Sequence, residues 1–341
     1  MAAMGTGSVV VGIDNGGTKT NATVLDADGR FLVHRMLEVP SRVAAGPEAA
    51  IDAMVDSMQR ALDEAGVPLS SVAAVGLDTP GPASDRGVIS SKGATNFAQP
   101  AWRGFDIRGA LEDRIGLPVV YNNDGNAAAL YAHHVYFGQR AAGTSSISAI
   151  VGTGLGGGVI ETGNVVRGAS GQAGELGHVR IALDGILADG QPMPTCACGN
   201  PGDVESIASL TGIVRNLLPY WLTRFPGHPL AGRPLLEAAK AVRDYGEAGD
   251  PMARSLFEQQ ALVLARLFTV AANFSDPHAY FVGGGVVEAA PAFRDWFLDL
   301  VRANTALRDE QAAVAGFALV PDLDMAGARG SAFAALASVA G

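Results

Sequence analysis

Three stretches of this 341-residue chain set glycines directly after a run of β-forming residues. Gly16-Gly17 follows residues 9–13 and Asp14, Gly152-Thr153-Gly154 follows residues 147–151, and Gly283-Gly284-Gly285 follows residues 279–282. With no Cβ in the way, backbone N–H groups in such turns can approach a phosphate. One of them alone is an ordinary turn. Three, each at a strand end, point to a polyphosphate gripped from several sides. Asp14 ends its strand beside Gly16, Gly17, Thr18 and Lys19. A carboxylate there could hold Mg²⁺ through water, or simply cap the turn. Asp124 follows Asn122-Asn123 at a strand end and opens a helical stretch. By position it suits a helix N-cap and a proton acceptor equally.

Two familiar nucleotide patterns fail. Gly152-x-Gly154-x-x-Gly157 has the spacing of a dinucleotide fingerprint, but that fingerprint needs a helix straight after the glycines. Here Val159-Ile160-Glu161-Thr162-Gly163 reads as strand and turn. A nicotinamide oxidoreductase is therefore disfavoured. The G-x-x-x-x-G-K-[ST] phosphate loop is absent from the sequence.

The elements that would carry these residues alternate. Residues 9–13 and 19–25 read as strands, Asp26 to Gly29 as a hairpin turn and 30–35 as a third strand. A helix over 46–66 ends on a glycine, and a strand over 72–77 closes at Asp78-Thr79-Pro80-Gly81-Pro82. Helix 107–115, strand 118–121 and helix 125–137 follow. Strand 147–151, the glycine run 152–158, strand 159–160, a Thr162-Gly163-Asn164 turn and strand 165–166 repeat the opening order. Two related α/β halves would face each other across a cleft, with ligands outside the carboxyl ends of strands.

Composition excludes other classes. Hydrophobic residues make up 48% and charged residues 17%, too apolar for disorder. The formal charge of −10 argues against a broad nucleic-acid-binding face. Two cysteines cannot build a disulfide scaffold, which favours a reducing compartment. Residues 256–274 are interrupted by Glu258, two glutamines and Arg266, so they read as a buried amphipathic helix and not a membrane span. The start, MAAMGTGS, lacks the features of a signal peptide. A cytoplasmic protein with no membrane partner is expected.

Asp14-Asn15-Gly16-Gly17-Thr18-Lys19, Asn123-Asp124, Gly152-Thr153-Gly154-x-Gly156-Gly157-Gly158, Gly174-Glu175-Leu176-Gly177-His178 and Cys196-x-Cys198-Gly199-x-x-Gly202 occur in this order. The set resembles the ROK family of sugar kinases and related repressors, from about residue 9 to about residue 335. The Gly-Glu-Leu-Gly-His segment with its downstream cysteines is the most specific part. The resemblance implies a two-domain α/β fold of the actin-like (ribonuclease H-like) type, closing on ATP and sugar. The expected division is a small domain over 1–122, with a terminal helix over about 326–341 returning to it, and a larger domain over 123–325. The family's repressors carry an extra N-terminal helix-turn-helix domain. Only about eight residues precede the first strand here, which favours the kinase branch.

The resemblance makes Asp124 the general base. It assigns Asn96, Asn123, Asp124, Glu175, His178 and Glu205 to the sugar. It assigns Asp14, Gly16, Gly17, Thr18, Lys19, Gly152, Thr153, Gly154, Gly283, Gly284 and Gly285 to ATP and its Mg²⁺, with the glycines at 283–285 against the adenosine and a helix from Val286 onward. His178, Cys196 and Cys198 match three of the four ligands of a structural zinc common in the family. Asp203 stands where the third cysteine is expected, and carboxylate can also ligate zinc. The implied reaction is phosphorylation of a hexose hydroxyl, glucose foremost. The alternatives are an N-acetylglucosamine or N-acetylmannosamine kinase and a sugar sensor without catalysis; polyphosphate could replace ATP as donor. The family is commonly dimeric or tetrameric.

Overall fold

The computed structural model describes residues 8–81, 83–92, 96–320 and 323–340. Pro82 of the expected strand-closing loop and Thr95 beside Asn96 lie outside the described residues. In chain order the main elements are β1 (Val9–Asn15), β2 (Lys19–Asp26), β3 (Val39–Pro40), α1 (Pro47–Ala65), β4 (Val72–Thr79), α2 (Ile107–Ile115), β5 (Val119–Asn123) and α3 (Asp124–Phe137). They continue as β6 (Ser146–Val151), β7 (Leu155–Glu161), β8 (Asn164–Val165), α4 (Leu235–Glu247), α5 (Pro251–Phe274), β9 (Ala279–Gly284), α6 (Pro291–Asn304), β10 (Gly316–Leu319) and α7 (Leu323–Ala340). The chain is α/β, and it groups into two compact units. One takes the chain up to Gly143, Gly158–Gly174 and the C-terminal helix; the other takes Thr144–Gly157 and Glu175–Pro321.

The first unit is a five-stranded sheet in the order β3-β2-β1-β4-β5, antiparallel between β1 and β2 and parallel from β1 to β5. Strand side chains alternate between faces. Val9, Val11 and Ile13 therefore share one core with Ile51, Met54 and Leu62 of α1 and Leu111 of α2. Val10 points the other way and packs with Ala332 and Ala335 of α7. That second face is closed by backbone contact. A Cβ on Gly12 would lie 1.9 Å from the Ala328 carbonyl oxygen, and one on Gly76 would lie 1.9 Å from that of Ser331. On the far side of the helix, a Cβ on Gly330 would lie 1.8 Å from the Ala127 oxygen of α3. The sequence-based division ran after residue 122. The compact units divide after Gly143 instead, because α3 packs along α7 and stays with the first sheet.

The other sheet has the order β10-β9-β6-β7-β8, with β10, β9 and β6 mutually parallel. Helices α4, α5 and α6 pack against one another in the second unit. No helix among the described residues is long and apolar enough to cross a membrane.

Three expected elements differ. Residues 30–35 form no strand; only a single bridge pairs Leu25 with Phe31, and β2 takes β3 as its neighbour. Adjacent Leu32 and Val33 both pack into the α1-side core, which an alternating strand cannot do. Gly156, Gly157 and Gly158 are strand, not turn. They thin β7 where it is crowded: a Cβ on Gly157 would lie 2.1 Å from Ser148 O, and one on Gly158 would lie 2.7 Å from Ala129 Cβ. After Gly284 only a 3₁₀ turn, Gly285–Glu288, precedes α6 at Pro291, so no long helix begins at Val286.

Candidate active site

In the first unit three parallel strands end at one edge. Register aligns Asp14 of β1 with Asp78 of β4, and Asp78 with Asn122 of β5. Asn21 Nδ2 donates to Asp14 Oδ2 at 3.1 Å, and Ser331 Oγ of α7 donates to Asp78 Oδ2 at 2.8 Å. Burial first, then the charge of Asp14, holds the Asp78 carboxyl well above the usual carboxylate range. Burial also chiefly raises Asp14. A fully buried carboxyl beside a second, half-buried one favours its protonated form. Sequence reading passed over Asp78 as a strand terminus. Its one signal was an acid directly after the apolar run of β4.

The turn after β1 is tight. Gly16 N–H donates to Lys19 O at 2.9 Å, and Thr20 Oγ1 donates to Asn15 Oδ1 at 2.7 Å. A Cβ on Gly17 would lie 2.8 Å from Asn96 Oδ1, so the structure seats Asn96 on the glycine turn. Thr18 is exposed. The Lys19 ammonium is exposed and paired with Glu38 at 2.6 Å.

At the end of β5 the cap of α3 is Asn123, whose Oδ1 accepts from Asn126 N at 3.0 Å. Asp124 is the first helical residue, where the helix N-terminus favours an anion. Its Oδ1 accepts from Gly125 N at 2.7 Å and from Asn123 Nδ2 at 3.1 Å. Asp124 is exposed, and its charge reaches both Asp78 and the Tyr121 phenol, which burial chiefly pushes upward. Arg167 braces the same strand end, donating to Tyr121 O at 2.7 Å and Asn122 Oδ1 at 2.8 Å. No sequence pattern marked Arg167.

In the second unit, Gly152 N–H donates to Gly154 O at 2.9 Å and closes the turn between β6 and β7. A distant segment holds that turn. Leu210 N donates to Gly152 O at 3.0 Å, Thr211 Oγ1 to Thr153 O at 2.7 Å, and Leu155 N to Glu205 Oε2 at 2.9 Å. Beside it lies a cavity of about 440 Å³, lined by Gly152, Thr153 and Gly285 at one side and by Phe257, Leu264 and Phe297 elsewhere. Such a volume suits a small ligand. Gly284 has φ +99°, and a Cβ there would lie 1.8 Å from Val151 O. Only glycine lets β9 leave the sheet this close to β6. Gly283 is pressed against Ile150 and Val320. Lys240 and Arg243 also line the cavity. They sit on one face of α4, and sequence spacing gave no reason to single them out.

His178, Cys196, Cys198 and Asp203 gather in the second unit, with one ligand atom from each all within 4.8 Å of one another. His178 Nδ1 is 3.3 Å from Asp203 Oδ2 and 3.9 Å from Cys196 Sγ, and Cys198 Sγ is 3.5 Å from Asp203 Oδ2. Tetrahedral zinc bonds of about 2.0–2.3 Å set ligand atoms roughly 3.3–3.8 Å apart, close to these three separations, so the group could hold one ion after small side-chain shifts. Asp203 is fully buried, Cys196 is buried, and burial chiefly pushes the Cys196 thiol up. Glu175 is exposed and opens the 3₁₀ turn Leu176–His178. Glu205 Oε1 accepts from Cys196 Sγ at 3.2 Å.

The sequence model described as ROK family matches residues 10–338. A glucokinase from Halalkalibacterium halodurans is 31% identical over 283 residues, covering 82% of this chain and 81% of the relative. A ROK hexokinase structure from Thermus thermophilus has 33% identity and a TM-score of 0.74, over 97% of this chain and 99% of that one. A ROK family glucokinase from Streptomyces griseus, solved with glucose and AMPPNP, has 29% identity and a TM-score of 0.67, over 96% and 99%.

Proposed function

The chain belongs to the ROK family, with the actin-like fold of its sugar kinases, and we propose that it transfers the γ-phosphoryl group of ATP to a hexose hydroxyl, glucose being the foremost acceptor. The observation that carries this reading is the likeness, over nearly the whole chain, to a glucokinase that binds glucose and an ATP analogue.

Phosphoryl transfer depends on positioning and charge stabilisation more than on covalent chemistry. In the proposed roles, Asp124 accepts the proton of the attacking sugar hydroxyl. Asn123 does the capping of α3 and donates to Asp124 Oδ1, so it orients the base. Asn96, Asn123 and Asp124 of the first unit, with Glu175, His178 and Glu205 of the second, are assigned to the sugar by family likeness. Gly16, Gly17, Thr18 and Lys19 of the first unit and the Gly152–Thr153–Gly154 turn of the second are assigned to phosphates. The residues at 283–285 and the largely apolar cavity beside them suit the adenosine, which favours ATP over polyphosphate as donor. Asp14, a carboxylate beside a glycine turn and oriented by Asn21, fits Mg²⁺, which neutralises charge on the phosphates when bound. His178, Cys196, Cys198 and Asp203 fit zinc in a structural role.

The test is product identification. Purified protein with ATP and Mg²⁺ is offered glucose, mannose, N-acetylglucosamine and N-acetylmannosamine, and the products are analysed by mass spectrometry and ³¹P NMR. Glucose 6-phosphate as the fastest product is expected. Faster formation of a phosphorylated N-acetylhexosamine would move the chain to that branch. No phosphorylated sugar from any acceptor would reject the kinase reading.

A further inference from the structure

Glu205 was assigned to the sugar by family likeness alone, yet its carboxylate has other employment. Oε2 accepts from the N–H of Leu155, the residue immediately after the Gly152–Gly154 turn, at 2.9 Å. The carboxylate lies flat against that turn: a Cβ on Gly154 would come within 2.6 Å of the same Oε2. From Glu205 the chain makes one helical turn, Glu205–Ala208, and returns to the turn through Leu210 N on Gly152 O and Thr211 on Thr153 O. The segment therefore grips all of Gly152, Thr153 and Leu155.

The base of that segment is itself anchored. Asp203 Oδ1 accepts from Ser206 N at 2.9 Å, and Ser206 Oγ donates to Asp203 O at 2.6 Å. Asp203 Oδ2 faces His178 and Cys198. A cysteine at 203 would have only one ligating atom, whereas this carboxylate serves the ligand cluster with one oxygen and the Glu205 turn with the other.

We propose that Glu205 is a positioning residue for the phosphoryl donor, fixing the Gly152–Gly154 turn through Leu155 so that the N–H groups of Thr153 and Gly154 are held in place before a phosphate arrives. The proposal rests on the donor's phosphates binding at that turn. It makes Glu205 matter to the donor even when no sugar is present, which a contact with sugar alone would not do. A hydrogen bond to a charged group that orders a turn is worth about tenfold or more in affinity.

The test is binding of ADP and of AMP, without sugar, to the full chain with Mg²⁺ by calorimetry. The wild type is compared with Glu205→Ala and Glu205→Gln, with melting curves to establish that each is folded. Glu205→Ala is expected to weaken ADP about tenfold and AMP less than threefold, because AMP lacks the phosphate that reaches furthest along the turn. Glu205→Gln, whose amide oxygen can still accept from Leu155, is expected to retain ADP affinity within about threefold. Gly154→Ala, whose Cβ would push the carboxylate away while Glu205 itself is kept, is expected to mimic Glu205→Ala. Unchanged ADP affinity in both Glu205→Ala and Gly154→Ala overturns the proposal, as does an equal loss of ADP and AMP. If the wild type binds neither nucleotide, the kinase reading itself fails.

Discussion

The turn after β1 and the turn after β6 follow the same plan, strand, glycines, strand, but they are held in different ways. The first is secured mainly by residues of the strands that flank it, Asn15, Thr20 and Asn21, with Ser41 N donating to Thr18 O and Asn96 seated on Gly17 from further along the chain. The second is secured by a segment some fifty residues downstream, Glu205 to Thr211, which is rooted in the carboxylate of Asp203. A turn braced by its neighbours can be recognised from a short stretch of sequence. A turn braced from afar cannot, because no local pattern names its supports.

The largest effect expected is in the first region. Asp124→Asn should keep the fold and sugar binding while lowering kcat about 10²–10⁴-fold, measured as steady-state turnover beside glucose binding. Next comes the backbone packing behind that region. Gly330→Ala forces a Cβ against the Ala127 carbonyl and should cost about 1–3 kcal/mol in urea unfolding, with loss of the Ser331 contact to Asp78. Zinc at the His178–Cys196–Cys198–Asp203 group, the reading proposed above, would let metal removal separate the two turns. After chelation, amide exchange at 152–155 should rise several-fold while that at 16–18 stays unchanged. An equal rise in both would erase the distinction drawn between them.

The Asp14–Asp78 pair gives a smaller effect with a definite sign. Asp78 and Asp14 have raised folded-state pKa values, so above the unfolded carboxylate pKa the native state binds more protons than the unfolded chain. Their contribution to stability is greatest at low pH and declines as pH rises through the raised values. Asp78→Asn should flatten that decline in melting temperature as pH rises above the usual carboxylate range, and a variant with the wild-type slope would show that the pair is not its source. The smallest effect is expected at the surface of the first unit. The Arg35–Glu64 pair is solvent-exposed, and Glu64→Gln should leave the melting temperature unchanged within error.

What the sequence made legible follows the same division. The glycine stops at Gly66 and Gly116, both in the left-handed region, placed the ends of α1 and α2. Asp14 and Asp124 stood out as acids at strand ends, whereas Asn123 and the His178–Cys196–Cys198–Asp203 group were named by the family resemblance, and the structure does bring those last four together. Residues 30–35 misled because Leu32 and Val33 enter one core together, and local periodicity cannot show a chain leaving its ladder. Gly156, Gly157 and Gly158 looked like turn because glycine count does not distinguish flexibility from crowding. Arg167 and Lys240 reach their places only through tertiary packing, so no window of sequence could reveal them.

The most direct measurement is the initial rate of ADP release by the wild-type chain from ATP and Mg²⁺, with and without glucose. Release that depends on glucose, saturates with it and collapses in Asp124→Asn is the predicted result. Release that is the same with and without sugar, or that survives Asp124→Asn within about threefold, would contradict a base-assisted transfer to a sugar hydroxyl.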